Sequence, residues 1–162
     1  MVQRILVGTD GSEDSHHAVV WCAEFARNSD VEVVVCHVVA SSSEWLLSAA
    51  QVDFQKVERE HRRLLLGPWT EPLRAAGVTY DVVQVSGDPV RTLLDVAEHK
   101  DVDLIAIGKA GHGAAAELLL GGTAAKLTHR TTRPLLVVPP KRAAPEPKRH
   151  PVVEERNVPL PG

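Results

Sequence analysis

The run VEVVVCHVV at residues 31–39 narrows most sharply what this chain can become. Valine is stiff at its branched Cβ and favours extended backbone over helix. A strand with one wet face alternates apolar and polar residues, and this run is apolar almost throughout. It suits a strand covered on both faces, as in a parallel sheet with helices above and below. Four shorter runs accompany it: RILVGT at 4–9, VTYDVVQV at 78–85, VDLIAI at 102–107 and PLLVV from Pro134 to Val138.

The segments between these runs carry the helical period. Ala18, Cys22, Phe25 and Ala26 recur on one helical face, as do Val90, Leu93, Leu94 and Ala97. A helical region is expected over 45–76, interrupted at Gly67-Pro68 by either a kink or a fresh start, because proline is tolerated only in a helix's first turn. Leu65, Trp69 and Leu73 keep i, i+4 phase across the interruption, which favours a kink with one shared buried face. Gly77 suits the end of that helix, Asp88 a helix cap with Pro89 behind it, and 122–130 a last short helix. The expected fold is an α/β domain in which five parallel strands alternate with helices through right-handed crossovers.

Composition excludes several classes of function. Eighteen Lys and Arg against 21 Asp and Glu give a net charge of −3, and the cations are scattered, so no nucleic-acid surface is expected. The densest charged run, 58–63, mixes signs and reads as the solvated face of a helix. No segment approaches the roughly 20 apolar residues needed to cross a bilayer, so no membrane association is expected. A strand-like run begins at once, which leaves no room for a signal peptide and points to the cytoplasm. Cys22 and Cys36 sit in apolar patterns without metal-ligand spacing and are expected as reduced core residues. Seven of the 11 prolines fall from Pro139 onward, so the domain is expected over 1–139 and a proline-rich tail over 140–162.

In an open parallel sheet, ligands bind beyond the carboxyl ends of the strands, where strand order reverses. The distinctive loops of this chain lie at such ends. One is Thr9-Asp10-Gly11-Ser12, and the other is Gly108-Lys109-Ala110-Gly111-His112-Gly113, which continues to Gly121-Gly122-Thr123. Glycine lets backbone N–H groups approach an anion with no Cβ in the way, and a helix N-terminus behind them adds unpaired donors. Phosphate binding and plain turn chemistry both account for these glycines. Asp10 also suits a helix cap together with Ser12, and Lys109 suits a solvated surface position as well as a charge beside a phosphate. His16, His17, His99, His129 and His150 have no partners at metal-ligand spacing, and His112 alone lies in a candidate loop. There is no GxxxxGK[ST] loop, GxSxG elbow, HExxH motif or GxGxxG fingerprint after the first strand.

The spacing Gly108-x2-Gly111-x9-Gly121 resembles the nucleotide loop of the universal stress protein family, G-x2-G-x9-G-[S/T]. The opening ILVGTDGS, the HVV at 37–39, the GDP at 87–89 and the closing RPLLVVP are similar to that family's landmarks in the same order. The resemblance covers about residues 2–139. It implies an adenine-nucleotide α-hydrolase-like fold, with an open sheet of order 3-2-1-4-5 and helices on both faces. It further implies a homodimer, often formed through the last strand, and binding of ATP or AMP in stress survival with little or no turnover. By matched position, Asp10 would face the ribose or a phosphate-bound Mg²⁺, with Thr9 and Gly11 beside it. Val38 would offer its backbone to the adenine edge, and Gly108, Lys109, Gly111, His112, Gly113 and Gly121 would wrap ribose and phosphates. One departure stands out: Gly122 occupies the Ser/Thr position, leaving Thr123 or a backbone N–H to serve the terminal phosphate. Cyclic AMP, which has no terminal phosphates, is an alternative ligand that tolerates this change. A nucleotide-independent dimeric scaffold or chaperone-like protein is the alternative function, and slow ATP hydrolysis or self-phosphorylation a third.

Overall fold

The computed structural model describes residues 1–40, 53–111 and 120–140. Its elements are β1 (Arg4–Gly8), α1 (Glu13–Ala26), β2 (Glu32–Ala40), α2 (Phe54–Leu65), a short 3₁₀ turn (Pro68–Thr70) and α3 (Glu71–Ala75). They continue with β3 (Tyr80–Gly87), α4 (Pro89–His99), β4 (Leu104–Gly108), α5 (Gly122–Arg130) and β5 (Leu135–Val138). The five strands are all parallel, in the order β3-β2-β1-β4-β5. The α/β alternation, the parallel sheet and its order are thus as expected from the sequence.

Strand side chains alternate between two faces, so a parallel strand buried on both sides feeds two cores. Ile5 and Val7 of β1, with Val33 and Val35 of β2, pack under α1 and the α2–α3 segment. Leu6, Val34 and Cys36 face the other way, onto Val90, Leu93 and Ala97 of α4 and Leu127 of α5. The chain therefore leaves β1 toward one face and β4 toward the other, which makes the β1–β4 boundary the topological switch.

Helix α1 turns out differently from its periodicity. Ala18, Val19, Cys22, Ala23 and Ala26 are its apolar buried residues, while Phe25 is 46% exposed and stacks on Trp21 with ring centroids 5.1 Å apart. Small residues let the helix lie close to the sheet, and the larger ring is left at the margin. The interruption at Gly67-Pro68 is a fresh start rather than a kink: α2 ends, a 3₁₀ turn begins at Pro68, and α3 follows. The shared face is nevertheless real, with Leu65 and Leu73 fully buried and Trp69 packed beside them. Gly77 ends α3 at φ +68°. Asp88 caps α4 by accepting the Arg91 N–H at 2.9 Å. The opening part of the expected long helix, 45–52, and the tail from 141 onward lie outside the described residues. No described helix is long and apolar enough to cross a membrane.

Two outcomes test this packing. Leu65→Ala, at a site with no solvent exposure, should cost about 2–5 kcal/mol in urea unfolding. Leu66→Ala next to it, 52% exposed, should stay within about 0.5 kcal/mol. Burial pushes the thiols of both Cys22 and Cys36 up to about 12. At pH 8 an aromatic disulfide reagent should therefore label neither in the folded protein and both in urea.

Candidate functional site

The site follows from how two strands end. β1 runs into Thr9, whose N–H donates to the Cys36 carbonyl at 2.9 Å and whose side chain is buried. The Ser15 hydroxyl donates to the Ser12 carbonyl at 2.9 Å, so the Thr9 hydroxyl, 3.1 Å from Ser15 Oγ, donates to that oxygen. Ser12 is the N-cap of α1, its Oγ accepting from the Ser15 N–H at 3.3 Å. Asp10 stands behind that cap. Its Oδ1 accepts from the Ser12 N–H at 3.0 Å and from the Ser12 hydroxyl at 2.5 Å. The capping role considered for Asp10 is thus divided, with Ser12 capping the helix and Asp10 bracing Ser12.

β4 ends against the same helix. A Cβ added at Gly108 would stand 2.5 Å from the Asp14 carbonyl carbon and 2.6 Å from the Ser15 nitrogen, so only glycine lets the strand pass. The Ala110 N–H then donates to Asp14 Oδ2 at 2.9 Å, and a Cβ at Gly111 would collide with Asp10 Oδ2. The Lys109 N–H donates to the Val138 carbonyl at 2.8 Å, and its carbonyl accepts from the Gly121 N–H at 2.8 Å. The loop is pinned at both ends beside the start of α5. That helix begins at Gly121 with no side-chain cap. Among the described residues, no side chain caps its first N–H groups, and the positive end of the helix dipole faces the cleft that Gly121, Gly122 and Thr123 line.

These elements enclose a cleft of about 670 Å³. Of the residues singled out in the sequence, Thr9, Asp10, Val38, Gly108, Lys109, Gly111, Gly121, Gly122 and Thr123 all line it. Gly11 does not: at φ +79° it faces Trp69, whose ring occupies the space a Cβ would need. His112 and Gly113 lie outside the described residues. Gly122 differs from the other loop glycines, because a Cβ there meets nothing within 4 Å. Its missing side chain is a matter of sequence, not of space. Among the described residues no three His, Cys, Asp or Glu side chains gather in a way that could hold a metal ion.

The structure adds a group the sequence reading passed over. His37 is 3% exposed; its Nδ1 lies 2.8 Å from the Thr9 carbonyl oxygen and its Nε2 lies 3.0 Å from His61 Nδ1. Trp69 packs edge-on to His37 at 5.1 Å between ring centroids and lies 5.8 Å from His61. Burial holds the His37 imidazole below the ordinary histidine range, against the opposing pull of the Thr9 carbonyl. Both histidines line the cleft, with Val57 and Pro89 beside them. His37 was visible only as a letter of the HVV landmark, and His61 sits in a charged helical stretch where nothing marked it out.

Comparison with known proteins bears on this arrangement. The model of the universal stress protein family matches residues 1–139. The chain belongs to that family. It is 25% identical over 147 residues to the universal stress protein YxiE of Bacillus subtilis, covering 85% of this chain and 99% of that one. It spans about half the length of its mycobacterial relatives. One of them, Rv1996 of Mycobacterium tuberculosis, is 29% identical with 92% of this chain and 52% of that protein covered. Among solved structures, the protein MJ0577 shares the fold with a TM-score of 0.77 at 24% identity, covering 88% of this chain and 99% of that one. A universal stress protein solved in complex with cAMP has a TM-score of 0.60 at 25% identity, covering 86% and 98%. The fold is that of the adenine nucleotide α-hydrolase-like proteins.

The loop geometry predicts opposite fates for two of its glycines. Gly108→Ala should destabilise by about 1–3 kcal/mol, because its Cβ meets backbone that cannot move aside. Gly122→Ala should change urea stability by no more than about 1 kcal/mol, and in the favourable direction.

Proposed function

We propose that this chain binds an adenine nucleotide, ATP or AMP, in the cleft above the β1–β4 switch and acts in stress survival by binding rather than turnover. The observation that carries this reading is the pinned glycine loop beside the uncapped start of α5. Backbone donors and a helix dipole there converge on one end of a cleft large enough for a nucleotide. The cAMP-bound relative at 25% identity supports a nucleotide as the ligand class. Gly108, Lys109, Gly111, Gly121, Gly122 and Thr123 would take the phosphates and ribose, and the backbone of Val38 the adenine edge. Asp10 is the one carboxylate lining the cleft among the described residues. A Mg²⁺ ion there would need its other ligands from the phosphates and water, which matches how that ion is usually held. Asp10 and Ser12 are engaged with each other at the cap, which supports a binding site over a nucleophile–base pair. The β5 edge, where Leu135, Leu136 and Val137 are each half-buried, is the proposed homodimer surface.

Gly122 favours a second reading. Without the hydroxyl at the terminal phosphate, the domain could serve as a nucleotide-independent dimeric scaffold, or hold cyclic AMP in preference to ATP.

Calorimetric titration of the nucleotide-stripped full chain with ATP–Mg²⁺, AMP and cyclic AMP separates these readings. Saturable ATP or AMP binding is expected, and Gly111→Trp should abolish it. Gly122→Ser, which has room for its side chain, should tighten ATP by about 2- to 12-fold, the worth of one added hydrogen bond, and leave cyclic AMP unchanged. No heat with any of the three nucleotides, in the native chain and in Gly122→Ser, would leave the scaffold.

A further inference from the structure

The histidine pair presents a hydrogen-bonding pattern that can be worked out atom by atom. A carbonyl oxygen only accepts, so His37 Nδ1, 2.8 Å from the Thr9 oxygen, carries a hydrogen and donates it. In the neutral ring, which burial favours, His37 Nε2 is then bare and accepts. His61 Nδ1, 3.0 Å away, must accordingly carry the hydrogen of that bond. In the neutral form of His61, the remaining nitrogen, Nε2, is left as a pure acceptor, and among the described residues nothing donates to it. A fixed backbone carbonyl thus sets the tautomer of a cleft residue through a buried relay.

Sheet order says which part of a ligand meets this acceptor. β2 and β4 lie on opposite sides of β1. The residues at the end of β4 and the start of α5 take the anionic end, so the end of β2 and the helix α2 border the other end. There Val38, Val57, Pro89 and Leu93 line the cleft with His61, which follows Val57 by one helical turn. Beside the Val38 backbone, apolar side chains with the imidazole of His61 among them suit the flat ring of a base that bears a polar substituent.

Building on the nucleotide reading, we infer that His61 is the specificity-determining residue for the base: its Nε2 accepts a hydrogen bond from an exocyclic amino group, with His37 as the positioning residue. A base with a keto oxygen at that position would set acceptor against acceptor, and one with only hydrogen there would leave the nitrogen unpaired. Both are rejected by the same unsatisfied group.

The test compares ATP, GTP and purine riboside triphosphate, which bears hydrogen in place of the amino group, by calorimetry on the nucleotide-stripped full chain. The native protein should bind ATP about tenfold more tightly than purine riboside triphosphate, and more tightly still than GTP. His61→Phe keeps a ring against Trp69 and removes the nitrogen, so the ATP-to-purine ratio should fall several-fold, with ATP weakened more than purine riboside triphosphate. His61→Gln, which retains an acceptor, should restore part of the ratio, and His37→Phe, which removes the partner of His61 Nδ1, should lower it. An unchanged ratio in His61→Phe would overturn the inference. So would equal weakening of both nucleotides, which would place His61 against the ribose or give it a purely structural role. Thermal unfolding establishes that each variant is folded. Should His61→Phe fail to fold, the native series decides alone, since the absence of any preference for the amino group sinks the assignment. Binding that Gly111→Trp abolishes, but that shows no such preference, overturns this inference and leaves the nucleotide site standing. No binding of any nucleotide, in the native chain or Gly122→Ser, overturns both.

Discussion

The end of β4 and the start of α1 approach so closely at Gly108 that no side chain can stand between them. Much of the site depends on that contact. It brings the Ala110 N–H onto the Asp14 carboxylate and sets Gly111 against Asp10, and it places the loop where Lys109 can bond both Val138 and Gly121. Were the strand and helix a methyl group further apart, the two loops would not share a cleft. Close packing of backbone on backbone is thus what joins the two loops around one cleft at the topological switch point.

The glycines of the nucleotide loop turn out to be explained in different ways. Gly108 is confined by the backbone of α1, Gly111 by the Asp10 carboxylate, and Gly121 less tightly by the backbone of Lys109 and Ala110. Gly11 serves the fold from a different direction, yielding its side-chain space to Trp69. Among the described residues, nothing lies within 4 Å of a Cβ added at Gly122. A spacing motif therefore mixes residues that build the cradle with residues that would touch the ligand, and only the surroundings of each tell them apart. The position where this chain departs from the family pattern is the one, among the described loop glycines, where an added Cβ meets no neighbour.

The two sides of the cleft are built on different physics. Around α5 the polar groups are backbone donors whose direction the helix sets, a neutral arrangement well suited to an anion. Around α2 they are side chains, two imidazoles and an indole, whose hydrogens are assigned by a carbonyl two residues upstream of Gly11. Trp69 also closes the space over Gly11, so this wall of the cleft is continuous with the core under α1.

Much of the fold was legible in the sequence. The apolar run of β2 requires cover on both faces, and the alternation of strand and helix then leaves few topologies. Most strands, the caps at Ser12 and Asp88, the left-handed Gly77 and the span of α5 all follow from local chemistry that a chain carries wherever it goes. Local chemistry misjudged Phe25 and the break at Gly67-Pro68, because whether a helical residue is buried depends on which neighbour arrives. The glycine spacing pointed to residues that line one side of the cleft, since turns and glycines are read along the chain. The histidine relay was not readable in that way. His37 and His61 are 24 residues apart, on a strand and a helix, and neither neighbouring sequence hints at the other. Their meeting under Trp69, and with it the acceptor left on His61, was decided only when α2 folded back over the end of β2, because a hydrogen bond between distant residues exists in distance and direction and not in spacing.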